Sequence, residues 1–248
     1  MRTLIAALVL MLAASSWLTA KAQVVKTPMV VAAQRTLQQR AEQSAPAPAV
    51  SIVVRADFVL FTVSLETGTR SADARKDELT KTFKSLTDRA AKEKGVSIEA
   101  GEPGASAPVE TASAAELIKS RGQDRSGIFV VVKIAVQSKD TFEQVRARAE
   151  KFIKETPLAG RVEAVIGDDQ YLGVEDPSKH REDLLKAIAA DTRLMGDTFR
   201  SSLRDGPTAP IAVSITGLET RVESRPSGPL EVEIYIPYQM SLRAGAPG

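Results

Sequence analysis

Residues 58–98 read FVLFTVSLETGTRSADARKDELTKTFKSLTDRAAKEKGVSI, and the hydrophobic period changes inside that stretch. From Phe58 to Glu66 the period is two: Phe61, Val63 and Leu65 fall on one face and Thr62, Ser64 and Glu66 on the other, as in a half-buried strand. From Ala72 the period is 3.6, with Leu79, Phe83, Leu86 and Ala90 on one stripe. Ser71 suits the N-cap of that helix, and Gly95 suits the left-handed residue that ends many helices. Val96 to Ile98 then begins a short strand. The stretch therefore predicts strand, amphipathic helix, strand.

The same order recurs downstream. Val130, Val132, Ile134 and Val136 point one way, with Lys133 and Gln137 the other, predicting a second strand. Asp140 and Glu143 have capping-box spacing, Phe142, Val145, Ala149, Phe152 and Ile153 form a helical stripe, and Val162, Ala164 and Ile166 give a returning strand. Phe58 to Ile98 and Ile128 to Ile166 thus form a weak internal repeat of one topology. Upstream, Val50, Ile52 and Val54 alternate before a break at Ala56-Asp57, predicting a strand pair or one broken strand. Downstream, Asp176-Pro177 reads as a cap and first helical residue, followed by the stripe Leu184, Ile188, Met195, Phe199 and Leu203.

Two strands are predicted to close the chain. The first holds Ile211, Val213 and Ile215, with Gly217 as a bulge. The second holds Leu230, Val232, Ile234, Ile236, Tyr238, Met240 and Leu242, with Pro237 at an edge or bulge. The fold class that follows is α+β: a mixed, largely antiparallel sheet with helices packed on one face, built from two strand-helix-strand units plus a long late helix and terminal strands.

Around this unit lie segments of different character. Residues 1–22 have a positive start at Arg2, an apolar run from Leu4 to Leu12 and the small-x-small site Ala20-Lys21-Ala22, which predicts a signal peptide cleaved before Gln23. Removing Arg2 and Lys21 takes the formal charge from +2 to zero, so the charge implies no nucleic-acid partner. Residues 23–49 read as a polar arm and a Pro-rich linker, and 50–248 as one domain. Residues 101–126 are rich in Gly, Ala, Ser and Pro and read as a mobile insert with little apolar surface, at most a helical turn or two around Ala114 to Ile118. The chain has no cysteine, which excludes disulfides, thiolate metal sites and a cysteine nucleophile. Trp17, the only tryptophan, lies in the leader. No later apolar run approaches the roughly 20 residues that cross a bilayer.

Catalytic signatures are scarce. His180, the only histidine, sits in the first turn of a predicted helix between Lys179 and Arg181, and is read as solvent-exposed rather than as a base. No G-x-S-x-G elbow or Ser-x-x-Lys pair occurs. Gly167-Asp168-Asp169 and Glu175-Asp176 are read as one acidic loop, 168–176. It does not have EF-hand spacing, and Asp176 already has a capping role, but its carboxylates leave open a calcium-type site. No catalytic, cofactor-binding or metal-ligating residue is assigned.

Three segments carry a family likeness. These are Ala56-Asp57-Phe58 into Val63-Ser64-Leu65-Glu66-Thr67-Gly68, the helix from Ala72 ending in Gly95-Val96, and Asp176-Pro177 to Phe199. Over about residues 50–242 the chain resembles the SIMPL-domain family of exported bacterial proteins. The resemblance implies a periplasmic location, with outer-membrane association in some members, oligomers in some, a link to envelope or oxidative stress, and no established active site. Three functions are therefore expected in order. The first is a non-enzymatic envelope protein that binds itself or another envelope component. The second is a periplasmic small-ligand or metal-binding module that uses the acidic loop. The third is a hydrolase with dispersed carboxylates.

Overall fold

Residues 28–32, 49–109, 114–202 and 211–244 are described by the computed structural model. The leader and most of the predicted arm lie outside them. In chain order the strands are β1 (Met29–Ala32), β2 (Ile52–Arg55), β3 (Phe58–Thr67), β4 (Val96–Ala100), β5 (Ala107–Pro108), β6 (Lys119–Ser120), β7 (Ser126–Ala135), β8 (Glu163–Val174), β9 (Ile211–Thr216), β10 (Glu223–Gly228), β11 (Glu231–Tyr235) and β12 (Gln239–Ala244). The helices are α1 (Ala72–Ala90), α2 (Ala114–Leu117), α3 (Phe142–Glu155) and α4 (Arg181–Ser202), the last entered through a 3-10 turn at Pro177–His180.

The two predicted units interleave. In the seven-stranded sheet the order β1-β8-β3-β7-β4-β5, with β6 against β7, places the first strand of each unit beside the returning strand of the other. Every pairing is antiparallel, so the four strands β8-β3-β7-β4 make a split β-α-β arrangement. The helices pack as their stripes require. Leu79, Phe83, Leu86 and Ala90 of α1 and Val145, Ala149, Phe152 and Ile153 of α3 are buried with Val59, Phe61, Val63 and Leu65 of β3. Ser71 Oγ accepts the Ala74 amide as the N-cap. The helix stops at Ala90, before Gly95, whose positive φ of 80° instead turns the chain into β4. The second cap is also shifted by one residue. Thr141 and Gln144 form the capping box, while Asp140 accepts from Arg148 and the Gln137 amide.

At Ala56-Asp57 the chain passes between sheets. β2 pairs with β11 in the three-stranded sheet β10-β11-β2, and β3 continues in the large sheet, so the predicted break is one broken strand shared between two sheets. Asp57 fixes the corner: its amide donates to Gly173 O, its carbonyl accepts from Val136 N, and its carboxylate accepts from Glu175 N.

The second face of the large sheet is also covered. Phe58, Leu60 and Val131 are buried there, with Val30 and Tyr171 packed against them. β1, which lies inside the segment read as an arm, supplies Val30 and pairs with the end of β8. The chain after β4 supplies another part of the cover. A Cβ on Gly104 would stand 3.8 Å from Val30 Cβ, and Ser106 Oγ donates to the buried Glu99 at 2.6 Å. Lys133 completes this face. Its Nζ lies 3.9 Å from the Phe58 ring centroid and 2.6 Å from Glu175. Further along the insert, Ala114 is buried, and Val109, Leu117 and Ile118 pack on the main core. The insert therefore has apolar surface to bury, contrary to the compositional reading.

The last third departs most from expectation. Leu230 to Leu242 is a single alternation in sequence, yet Ile236-Pro237-Tyr238 divides it. β11 lies in the three-stranded sheet with its apolar face in the core, while β12 pairs with β9 as a separate two-stranded ribbon. β10, with Pro226 at a bulge, is a strand that the sequence pattern does not signal. The first half of α4 buries Leu184 and Ile188. Its second half leaves the core and meets the ribbon where Gly196 approaches Val213, a Cβ on the glycine standing 3.4 Å from Val213 Cγ2. Phe199 is consequently 46% exposed rather than buried.

Candidate functional site

The acidic residues read as one loop are separated. Gly167, Asp168 and Asp169 lie within β8, as a bulge opposite Thr62 between the pairs Phe61↔Gln170 and Val63↔Ile166. A Cβ at Gly167 would meet the Thr62 hydroxyl, which would have to turn away. Glu175 is engaged by Lys133, and Asp176 accepts from the Ser178 hydroxyl. The turn signal Gly-Asp-Asp is overridden by strand pairing on both sides of it. Among the described residues no group of three or more His, Cys, Asp or Glu side chains is arranged to hold a metal ion.

His180 ends the 3-10 turn and is half-buried, not solvent-exposed. Burial lowers its pKa, Lys179 adds to the effect, and Asp183, Asp57 and Asp176 oppose it. The imidazole is thus held neutral near pH 7.

A polar cleft that the sequence did not announce lies at one end of the large sheet, where β3 ends and β7 and β8 begin. It has a volume of about 220 Å³ and is lined by Glu66, Thr67, Gly68, Arg125, Arg161 and Glu163. Glu66 and Glu163 are direct cross-strand partners, a like-charge juxtaposition that costs stability unless cations offset it. Ser64 Oγ donates to Glu66 at 3.0 Å, and Arg125 lies 4.0 Å from the same carboxylate. Behind the cleft, Glu78 accepts from Thr67 Oγ1 at 2.7 Å and from Thr69 Oγ1. The Thr67 bond, reinforced by Thr69 and Arg161 against the effect of burial, holds the Glu78 carboxyl below its ordinary range. Gly160, with φ of 59°, leaves room for that carboxylate, where a Cβ would collide. Arg75 ties the wall together, donating to Thr69 O at 2.7 Å and to Ser126 Oγ at 3.1 Å. Glu78 is thereby a fixed anion that organises the wall rather than a proton donor. The spacing signal that could have revealed the cleft is the pair Glu66 and Glu163 in two predicted strands, but their register was not deducible before the units were seen to interleave.

The other exposed feature is the C-terminal extension formed by the distal half of α4 and the β9–β12 ribbon. Its apolar face carries Ile211, Val213, Ile215, Met240 and Leu242 by strand alternation. α4 covers this face only partly: Ile215 and Leu242 are each 36% exposed, and Phe199 of α4 is exposed as well. Each ribbon strand has one paired edge and one edge with no strand against it among the described residues. Compared with known proteins, the chain matches no family model, no curated protein and no solved structure.

Proposed function

We propose that the protein is an exported, non-enzymatic component of the bacterial cell envelope that works by association, through the extension made by α4 and the β9–β12 ribbon. The observation that carries this reading is the partly uncovered apolar face of that ribbon. A two-stranded ribbon is marginal by itself in water, and one whose apolar face is only half covered by a helix gains stability from a partner that completes it. Export rests on the leader pattern of 1–22, and the link to envelope or oxidative stress rests on the SIMPL resemblance. No helix among the described residues is long and apolar enough to cross a membrane.

The test is the mass of the exported chain in solution together with what co-purifies from an envelope extract. The expected result is a species heavier than one chain, reduced to a monomer by Phe199→Asp combined with Leu242→Asp with an unchanged circular dichroism spectrum. A wild-type monomer with nothing bound would reject the reading.

One observation favours a second reading, a small-ligand site. The cleft presents two carboxylates and two guanidinium groups around one small volume, which suits a zwitterionic molecule better than a bare cation or anion. Calorimetric titration with free amino acids, using Glu163→Gln as the control, tests it. No heat from any of them removes this reading.

A further inference from the structure

Proteins blunt the outer strands of their sheets with charges, prolines or short length, because an unguarded edge pairs with other chains. Most outer strands here follow that practice. β5 has two residues and ends in Pro108, β10 carries Arg225 and Pro226, β2 ends in Arg55, and β12 carries Arg243. β1 is uncharged but has only four residues. β9, with the sequence IAVSIT, is the longest described outer strand with neither a charge nor a proline.

We infer that β9 pairs antiparallel with β9 of a second copy of this chain, about a twofold axis at Val213, making one four-stranded sheet β12-β9-β9-β12. The inference rests on the association reading above and names its partner. The alternation supports it. With Val213 opposite itself, Ile211 faces Ile215 of the partner subunit and Ala212 faces Ser214 of the partner subunit. Apolar side chains thus meet apolar ones on one face, and small ones meet small ones on the other. A pairing shifted by one residue would place the apolar set of one copy against the polar set of the other. Such an axis is perpendicular to the sheet, so the apolar faces of the two ribbons lie on the same side of it. β12 is less suited, since pairing about Ser241 sets Gln239 against Arg243. With no charge on β9, no oppositely charged partner is selected, whereas a copy of the strand itself is matched from Ile211 to Ile215.

The chain has no cysteine, so a single introduced thiol reports the register cleanly. Directly opposed Cα atoms in an antiparallel pair are about 4.5–5.5 Å apart, within the span a disulfide bridges. Val213→Cys in the full chain, treated with a mild oxidant and run on a non-reducing gel, should give a covalent dimer. Ala212→Cys and Ser241→Cys, handled identically, should remain monomeric. A pair of double variants on the exposed face checks the same register without chemistry at the axis. Ala212→Lys with Ser214→Lys sets like charges opposite each other twice and should weaken the dimer about tenfold in sedimentation. Ala212→Glu with Ser214→Lys sets opposite charges together and should keep it.

Cross-linking through Ser241→Cys instead of Val213→Cys, or equal dimerisation of the two charge variants, would overturn the β9 pairing while leaving the association reading intact. A wild-type chain that stays monomeric, yet binds another envelope component in a manner lost in Phe199→Asp with Leu242→Asp, would do the same. A monomer with no partner would remove both.

Discussion

Individual side chains here are placed less by their own propensity than by what the opposite strand brings. Gly173 shows this. It pairs with Phe58, and a Cβ at that position would overlap the Phe58 ring. Gly173→Ala should therefore destabilise the protein by about 1–3 kcal/mol, the usual cost of overpacking, and a denaturation midpoint within error of wild type would show that the ring moves aside freely. Glu78 carries a prediction about pH. Its folded pKa is depressed from the ordinary value of 4.5, so its contribution to stability is present above that value and is lost as the pH falls through the folded one. Glu78→Gln should lower stability at neutral pH and flatten the loss of stability below about pH 5. Parallel acid-unfolding curves for the two proteins would mean the carboxylate is not what the acid acts on. Of the side chains singled out from sequence, Phe83 lies fully buried where its helical phase put it, whereas Phe199 does not. Phe83→Ala should cost about 3–5 kcal/mol and Phe199→Ala less than about 1 kcal/mol in the monomer, because α4 outruns the core and periodicity alone cannot tell where a helix leaves its support. Ile234 and Ile236 are both fully buried, so charges placed there would report on folding and not on assembly.

Elements with a clean period were legible, and those defined by a distant partner were not. β3, α1, β7 and α3 follow directly from their alternation and stripes, since each brings a complete amphipathic face to a shared core. The alternation ends β8 at Ile166, because a bulge at Gly167 looks like a turn until the strand beside it is known. β1 and β10 carry no legible signal, because Met29–Ala32 is too short to show a period and Pro226 argues against a strand anywhere but an edge. The cleft was illegible for a related reason, as Glu66 and Glu163 become neighbours only through the pairing of β3 with β8. The insert at 101–126 was read from composition, yet it brings Ala114 into the core, packs Leu117 and Ile118 against it, and lies near Val30 on the second face of the sheet. Deleting it and joining Ala100 to Gly127 should destabilise the fold and expose Phe58 and Leu60, with increased binding of a hydrophobic dye. Unaltered cooperative unfolding and no dye binding would show that the insert is dispensable for folding.

At the scale of the molecule, two regions differ in how they are held. The large sheet and the three-stranded sheet share one core that includes Val59, Phe61, Ile128 and Val132 as well as Leu230, Val232 and Ile234, so their strands are tied to global unfolding. Among the described residues the ribbon is tied through α4, the short Ile236 to Tyr238 connection and residues 217–222, where the Glu219 amide donates to Pro237 O, and it supplies no side chain to that core. Local stability follows buried apolar contact, and a segment with few such contacts opens without unfolding the rest. In dilute solution the amides of β9, β12 and residues 195–202 should therefore exchange much faster than those of β3 and β7. Raising the protein concentration should slow exchange in β9 selectively, because assembly protects its outer edge while leaving the outer edge of β12 open. Exchange measured by mass spectrometry at two concentrations decides the matter. If β9 is as protected as β3 at dilution, the extension is an integral part of the core. If concentration changes nothing in β9, the edge has no partner among copies of this chain.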